Sequence, residues 1–393
     1  MSRSPIRAEV RAAVSRRLLP FALVLAYLVA VVVVDLRTPA YLRLDVYAAL
    51  APVTAAAVCT YRQTVFVGLV DFFLMVAHHG VLTAESSPVN RVGSVLGNIL
   101  IVGAAITVAR LRRDGDALLE RVRATGEAAQ RALLRPLPLR THSVVVDGFY
   151  VSSQRDALVG GDIYEVVDTP YGTRVLIGDV RGKGLGTLGA GAAVLTAFRE
   201  AAYHRRDLDS GVAAMEQGLT RYHRSAEYQA RTADAHAAEE FVTALVMGTE
   251  EDPAARDGSP GEVPVVFVDC GHPSPFLIGA DGGVRELRAT EPGLPLGLGE
   301  LVDAPRSRQR VTLPPDCRVL ACTDGVTEAR GRDGGFYPLA ERLDAWAALP
   351  TPELLERLRA DLAAHTGGRL QDDVAVLVVE RAPGSGTGSG GRR

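Results

Sequence analysis

Four apolar runs fall within the first 110 residues, and nothing else in the sequence restricts the fold as much. Leu18 to Val34 is 17 residues without a charge, Val46 to Tyr61 is 16, and Val92 to Ala109 is 18. Gln63 to Leu82 is also apolar but carries Asp71 and the pair His78 and His79. A bilayer span takes roughly 20 mostly apolar residues, with about 17 as the lower limit. The first and fourth runs meet that length alone; the second and third lean on their neighbours. The expectation is a helical membrane region over 1–110 with four spans, or three if a weaker run stays out. A cleaved signal peptide is the rival reading of the first run. Its apolar stretch is too long for one, and Asp35-Leu36-Arg37 follows where small residues should stand.

Arginines set the orientation. Arg3, Arg7, Arg11, Arg16 and Arg17 precede the first run against a single Glu9, and Arg110, Arg112 and Arg113 follow the fourth. Both ends therefore read as cytoplasmic, which fits an even number of spans and a multi-pass protein of the cell membrane. Asp71 inside a span is a functional candidate by position; a shallow helix with Asp71 near the interface is the structural alternative. Gly93 and Gly97 form a small-xxx-small pair that serves helix packing within or between chains.

Residues 111–138 read as a helical linker rich in Arg, Glu, Ala and Leu. Leu118, Val122, Ala129 and Leu133 make a loose heptad stripe over 111–135 that could pair with its copy in a homodimer. Gly115 and Gly126 weaken that helix, and Pro136 and Pro138 end it. Pro383 to Arg393 reads as a flexible tail. From 139 to 382 the pattern is that of a folded cytoplasmic domain. Short β-rich runs recur at Ser143–Val146, Thr173–Ile177, Val242–Met247, Val263–Val268, Arg318–Ala321 and Val374–Val379. Helical stretches lie at Gly189–Tyr203, Leu208–His223 and Pro352–His365. Turn-rich segments at Glu250–Gly261 and Gly279–Gly283 connect several strands as hairpins, which points to an α+β, layered αββα domain and not to a Rossmann fold. The net charge of -3 argues against a nucleic-acid partner. Cys59, Cys270, Cys317 and Cys322 are too few and too scattered for a disulfide framework or a zinc finger.

Acidic residues recur at the strand ends. Asp162 follows Gly160-Gly161. Asp179 follows Val175-Leu176-Ile177-Gly178, Asp324 follows Val319-Leu320-Ala321-Cys322-Thr323, and Asp372 and Asp373 precede the last strand. Carboxylates beside glycines, where backbone oxygens also come close, suit a hard cation such as Mg²⁺ or Mn²⁺. Four such positions could build a two-metal centre. Any one alone is a turn Asp; the set makes the case. Three other chemistries fail on their residues. The glycine run 178–186 is one residue short of a phosphate loop and has Gly184 where Ser or Thr is needed. Gly160-Gly161-Asp162 is followed by Ile163 and Tyr164, without the acidic residue of a diguanylate cyclase loop. The linker has no histidine to serve a sensor kinase.

The order of the motifs resembles the sporulation stage II protein E type of metal-dependent Ser/Thr phosphatases, within the protein phosphatase 2C superfamily. The matching segments are Leu134–Pro138, Val159-Gly-Gly-Asp-Ile-Tyr-Glu165, Gly178-Asp-Val-Arg-Gly-Lys-Gly184, Phe241-Val-Thr-Ala-Leu245, Asp269-Cys-Gly-His-Pro273, Leu294-Pro-Leu-Gly297, Thr323-Asp-Gly-Val-Thr-Glu-Ala-Arg330 and Gln371-Asp-Asp-Val374. The resemblance implies a four-layer αββα sandwich with the metal centre at one edge. It implies that Asp162, Asp179, Asp324 and Asp372, with the Val180 carbonyl, hold two Mn²⁺ or Mg²⁺ ions, Asp373 being the lesser partner of its pair. A water acidified between the ions would attack the phosphorus of a phosphoserine directly. The substrate it implies is a phosphorylated anti-sigma factor antagonist in a partner-switching pathway. Three positions depart from the pattern or leave a role open. Glu165 stands where the family often has Asp, Lys183 where it often has His, and His272 could be an acid or a structural residue. Two rival functions stay open: an inactive module that binds phosphoproteins, and a small-molecule phosphatase.

Overall fold

The computed structural model describes residues 5–35, 37–38, 45–77, 88–153, 160–182, 185–230, 240–249, 263–279, 281–299, 306, 308–314 and 316–382. His78, His79, Lys183, Gly184, the Glu250–Gly261 turn and the tail 383–393 lie outside them. The chain divides into two compact units, 1–121 and 122–393.

The first unit is helical. α1 is Pro5–Asp35, α2 Asp45–Ala48, α3 Leu50–Val58 and α4 Tyr61–Ala77, and α5 runs from Pro88 to Leu133. Two of the four apolar runs lie in helices long and apolar enough to cross a membrane, α1 over Leu18–Asp35 and α5 from Val92 onward. The second run is interrupted at Ala49, and its 9-residue α3 covers about 14 Å of a hydrocarbon core about 30 Å thick. α4 holds the third run as far as Ala77 in a helix of 17 residues, and residues 78–82 of that run lie outside the described ones. Val24, Leu28, Ala51, Ala55, Cys59 and Val67 form a buried cluster between these helices, while Leu19, Leu23, Phe73 and Leu100 are exposed. Asp71 is buried within the unit, and its Oδ2 accepts a 2.8 Å hydrogen bond from Asn98 Nδ2. The fourth run and most of the linker are one helix of 46 residues, continuous through Gly115 and Gly126. A glycine in a helix interior costs only about 1 kcal/mol relative to Ala, which a helix of this length absorbs.

The second unit is a four-layer sandwich. Its strands are β1 Leu139–Arg140, β2 Val144–Val151, β3 Asp162–Thr169, β4 Gly172–Val180, β5 Val242–Thr249, β6 Val263–Cys270, β7 Phe276–Ile278, β8 Val284–Glu286, β9 Arg308–Leu313, β10 Arg318–Cys322 and β11 Val374–Arg381. Its helices are α6 Leu185–His204, α7 Leu208–Ala230, α8 Asp324–Thr327, α9 Leu339–Trp346 and α10 Thr351–His365. One antiparallel sheet has the order β1-β2-β11-β10-β7-β8, the other β3-β4-β5-β6-β9. Side chains alternate between the faces of a strand, and here both faces are covered. Val175 and Ile177 of β4 meet Ala375, Leu377 and Val379 of β11 between the sheets. Leu176 and Val180 point the other way, to Val194, Leu195 and Phe198 of α6. On the far side Val374, Val376 and Val378 pack under Leu343 of α9 and Leu354 and Leu358 of α10. This double burial is why the strands read as unbroken apolar runs.

β3 was absent from the sequence expectation, because Asp162, Glu165 and Asp168 interrupt it. The structure shows how such a strand is buried. Glu165 is fully inaccessible, yet it pairs with Arg199 of α6 and, at 3.1 Å, with Arg135 just beyond α5. Arg199 Nη2 also donates to the Leu133 carbonyl at 2.7 Å. Glu165 is therefore a structural ion-pair centre that fastens the end of α5 to the first strand of its sheet.

Candidate metal centre

β3 and β4 are hydrogen-bonded so that Asp162 and Asp179 face each other directly across the ladder. Asp324 opens α8 immediately after β10, and Asp372 and Asp373 sit just before β11. β10 and β11 are antiparallel neighbours, with Cys322 opposite Val376. The end of one and the start of the other therefore share an edge. Five carboxylates from four segments thus meet at one edge of the sandwich, where the two sheets are tied together. Thr323 Oγ1 donates to Asp162 Oδ2 at 2.8 Å and accepts the Ala375 N–H at 2.9 Å. Asp373 takes the Ser153 N–H on Oδ1 at 2.7 Å and the Gly161 N–H on Oδ2 at 2.8 Å. Gln130, in the last turn of α5, accepts from Gly160 N and donates to the Asp162 carbonyl at 3.1 Å. Thr323 and Gln130 carry no sequence signal of their own. The first hides inside a Thr-Asp-Gly turn and the second in a charged helix.

The glycines of the two motifs are required by close approach. A Cβ on Gly161 would stand 2.5 Å from Asp179 Oδ1 and 2.7 Å from the Val180 carbonyl oxygen. A Cβ on Gly160 would collide with the Asp373 carboxylate, and one on Gly325 with the Asp373 carbonyl.

The electrostatics are unfavourable without a counter-ion. Burial pushes Asp162 well above the usual carboxylate range, and Asp179, Asp373 and Asp324 add to the shift against the Thr323 hydrogen bond. Asp179 is raised to about 7 by burial and then by Asp324, Asp372 and Asp373, with Arg181 opposing. Asp324 is raised by burial and by Asp372 and Glu328. Among the described residues no group of three or more acidic, histidine or cysteine side chains is close enough together to hold a metal ion. The donor set still fits a hard divalent cation. Mg²⁺ in particular keeps several waters and takes only one or two carboxylates each, so an open array with a backbone carbonyl suits it better than a cage.

The other sequence candidates fall into place around this edge. His272 is buried, with Nδ1 3.2 Å from Thr243 Oγ1, and burial lowers it to about 3. Burial thus disfavours its protonated form. Arg181 is exposed beside Asp179, its guanidinium 5.5 Å over the Phe241 ring and its N–H donated to the Phe241 carbonyl at 2.8 Å. The role of Lys183 lies outside the described residues. Because Thr323 serves two buried partners, Thr323→Val is expected to cost about 1–3 kcal/mol. Urea unfolding of the metal-free chain measures this, and unchanged stability would refute the tie.

A sequence model of the family described as stage II sporulation protein E (SpoIIE) matches residues 169–382, which include Asp179, Asp324, Asp372 and Asp373 but stop short of Asp162. Among solved structures, the PP2C domain of SiaA from Pseudomonas aeruginosa is 22% identical, with a TM-score of 0.49, over 69% of this chain and 98% of that one. The RsbU and RsbW domains of a Mycobacterium tuberculosis protein are 23% identical, with a TM-score of 0.45, over 61% of this chain and 60% of that one. The PP2C phosphatase domain and regulatory fragment of SpoIIE from Bacillus subtilis are 14% identical, with a TM-score of 0.45, over 61% and 64% of the two chains. This chain thus spans 60% of the Mycobacterium chain it matches, less than two thirds. The family match takes in more than half of the 393 residues, and on that ground the chain belongs to the stage II sporulation protein E (SpoIIE) family.

Proposed function

We propose that the chain is a membrane-anchored protein-serine/threonine phosphatase that uses two Mn²⁺ or Mg²⁺ ions held by Asp162, Asp179, Asp324, Asp372 and the Val180 carbonyl. The observation that carries this reading is the meeting of five carboxylates, far apart in sequence, at one edge of the sandwich. When bound, the ions supply positive charge for the phosphoryl oxygens and lower the pKa of water at neutral pH. The chain's own residues have separate tasks. Asp373 spends both carboxylate oxygens on the backbone of Ser153 and Gly161, which leaves the more exposed Asp372 as the ligand of the pair. Thr323 aims Asp162. Arg181, steadied on Phe241, offers a bidentate cation to an incoming phosphate at the rim of an otherwise acidic site. His272 stays neutral and braces Thr243, which is paired with Asp179 in the ladder.

The substrate fitting the family resemblance is a phosphorylated anti-sigma factor antagonist. The exposed apolar faces of α1, α4 and α5, and the arginines flanking the first and fourth runs, support a multi-pass anchor with the catalytic unit in the cytoplasm. Phosphate release from a phosphoserine protein by the full chain tests the activity. Release that needs Mn²⁺ or Mg²⁺ and stops with chelator is expected. No release at any metal concentration, with metal bound, would replace the enzyme with a binding module.

A further inference from the structure

The first unit contains a cavity of about 580 Å³ that the phosphatase reading does not use. Tyr61 and Arg62 at the start of α4 line it, with Arg112, Arg113, Asp116 and Glu120 of α5. Its charges are ordered along α5. The apolar run ends at Ala109, with Leu100 and Val108 exposed before it. Arg112 and Arg113 come next. At 1.5 Å per residue, Asp116 lies about 5 Å and Glu120 about 11 Å beyond Arg113 along the axis. The Arg113 guanidinium stands 5.6 Å over the Tyr61 ring, and Tyr is a residue enriched at the headgroup level of a bilayer. Arg112 is turned inward, donating to the carbonyls of Ala57 and Cys59 at the end of α3. Arg62, Arg113, Asp116 and Glu120 have no ion-pair partner among the described residues. The neighbouring pair, Arg110 with Asp114 at 3.9 Å, shows that pairing along this helix is otherwise used.

Two cations near the apolar boundary and two carboxylates farther out call for a zwitterion of matching polarity, its anion deep and its cation toward water. A headgroup with a phosphodiester next to the glycerol and a primary ammonium beyond it has that order. Phosphatidylglycerol would set hydroxyls against Asp116 and Glu120, and choline has no N–H to donate to them. We propose that this cavity binds the headgroup of phosphatidylethanolamine, the phosphate held by Arg62 and Arg113 and the ammonium by Asp116 and Glu120. The proposal rests on the membrane reading above, so flotation of the full chain with lipid vesicles comes first. A chain that does not float removes both.

The full chain in mild detergent is then offered equal amounts of phosphatidylethanolamine, phosphatidylglycerol and phosphatidylcholine, and bound lipid is counted by native mass spectrometry. Retention of phosphatidylethanolamine about fivefold over each of the others is expected, as two partly exposed ion pairs supply. The double variant Asp116→Asn and Glu120→Gln should lose the preference while still retaining phosphatidylglycerol. The double variant Arg62→Gln and Arg113→Gln should lower retention of all three. Unchanged vesicle flotation and unchanged helical circular dichroism certify the folding of both variants. A floating chain that retains the three lipids equally overturns the proposal. So does a preference that survives the acidic double variant, or binding of water-soluble glycerophosphoethanolamine as tight as that of the lipid.

Discussion

Asp179→Asn is expected to lower phosphate release about 10³-fold, the scale on which an enzyme loses a group that stabilises charge in its transition state. The same change should make the metal-free chain more stable, an outcome that few active-site losses share. Burial and the carboxylates of Asp324, Asp372 and Asp373 raise Asp179 to about 7, above the ~3.9 of an unfolded Asp. A group raised in this way contributes stability that is complete below the unfolded value and is lost as pH rises through the folded one. Metal-free wild type should therefore lose on the order of 4 kcal/mol between about pH 4 and pH 8 from this residue. Asp179→Asn should flatten that slope, and so should saturating Mn²⁺, which favours the charged form. Thermal unfolding across pH, with and without chelator, measures both effects. A wild-type slope of the opposite sign would mean that Asp179 is not crowded by its neighbours.

The second large effect lies away from the chemistry. Arg199→Met leaves Glu165 fully buried with only the half-exposed Arg135 as its partner, and it frees the Leu133 carbonyl. Removing one side of a buried pair costs about 3–5 kcal/mol, so about 3 kcal/mol is expected with Arg135 still in place. Glu165→Leu added to Arg199→Met should recover most of the loss, because a matched apolar pair replaces the orphaned carboxylate. Urea midpoints of the wild type, the single variant and the double variant form the test. A double variant less stable than Arg199→Met would show that the carboxylate is needed for something other than neutralising Arg199.

The aspartates were legible because each borders an apolar run, and Asp162, Asp179 and Asp324 stand beside a glycine, a signal carried by residue type and order alone. The αββα layering was legible in β4, β5, β6, β10 and β11, whose two buried faces give them apolar runs, and in the Val144–Val146 part of β2. β3 was hidden because the charge that breaks its pattern is neutralised by Arg135 and Arg199, which lie 30 and 34 residues away. The linker's glycines pointed to a weaker helix than the one observed, since local propensity is small against a 46-residue helix. The second apolar run matched the composition of a span, but the turn at Ala49 that interrupts it carries no sequence signal of its own. The preference for Asp372 over Asp373 came from the family resemblance alone. In the structure Asp373 is buried and accepts the Ser153 and Gly161 N–H groups, whereas Asp372 is exposed.

The most direct measurement is a calorimetric titration of Mn²⁺ into the metal-free full chain near neutral pH, repeated in buffers of different ionisation enthalpy and repeated with Asp179→Asn. The account requires binding that releases protons, because a carboxylate raised to about 7 must be ionised to hold the ion. It also requires that both the binding and the proton release fall sharply in the variant. Equal Mn²⁺ affinity in wild type and Asp179→Asn, or binding with no proton release, would contradict a metal centre built on this edge of the sandwich.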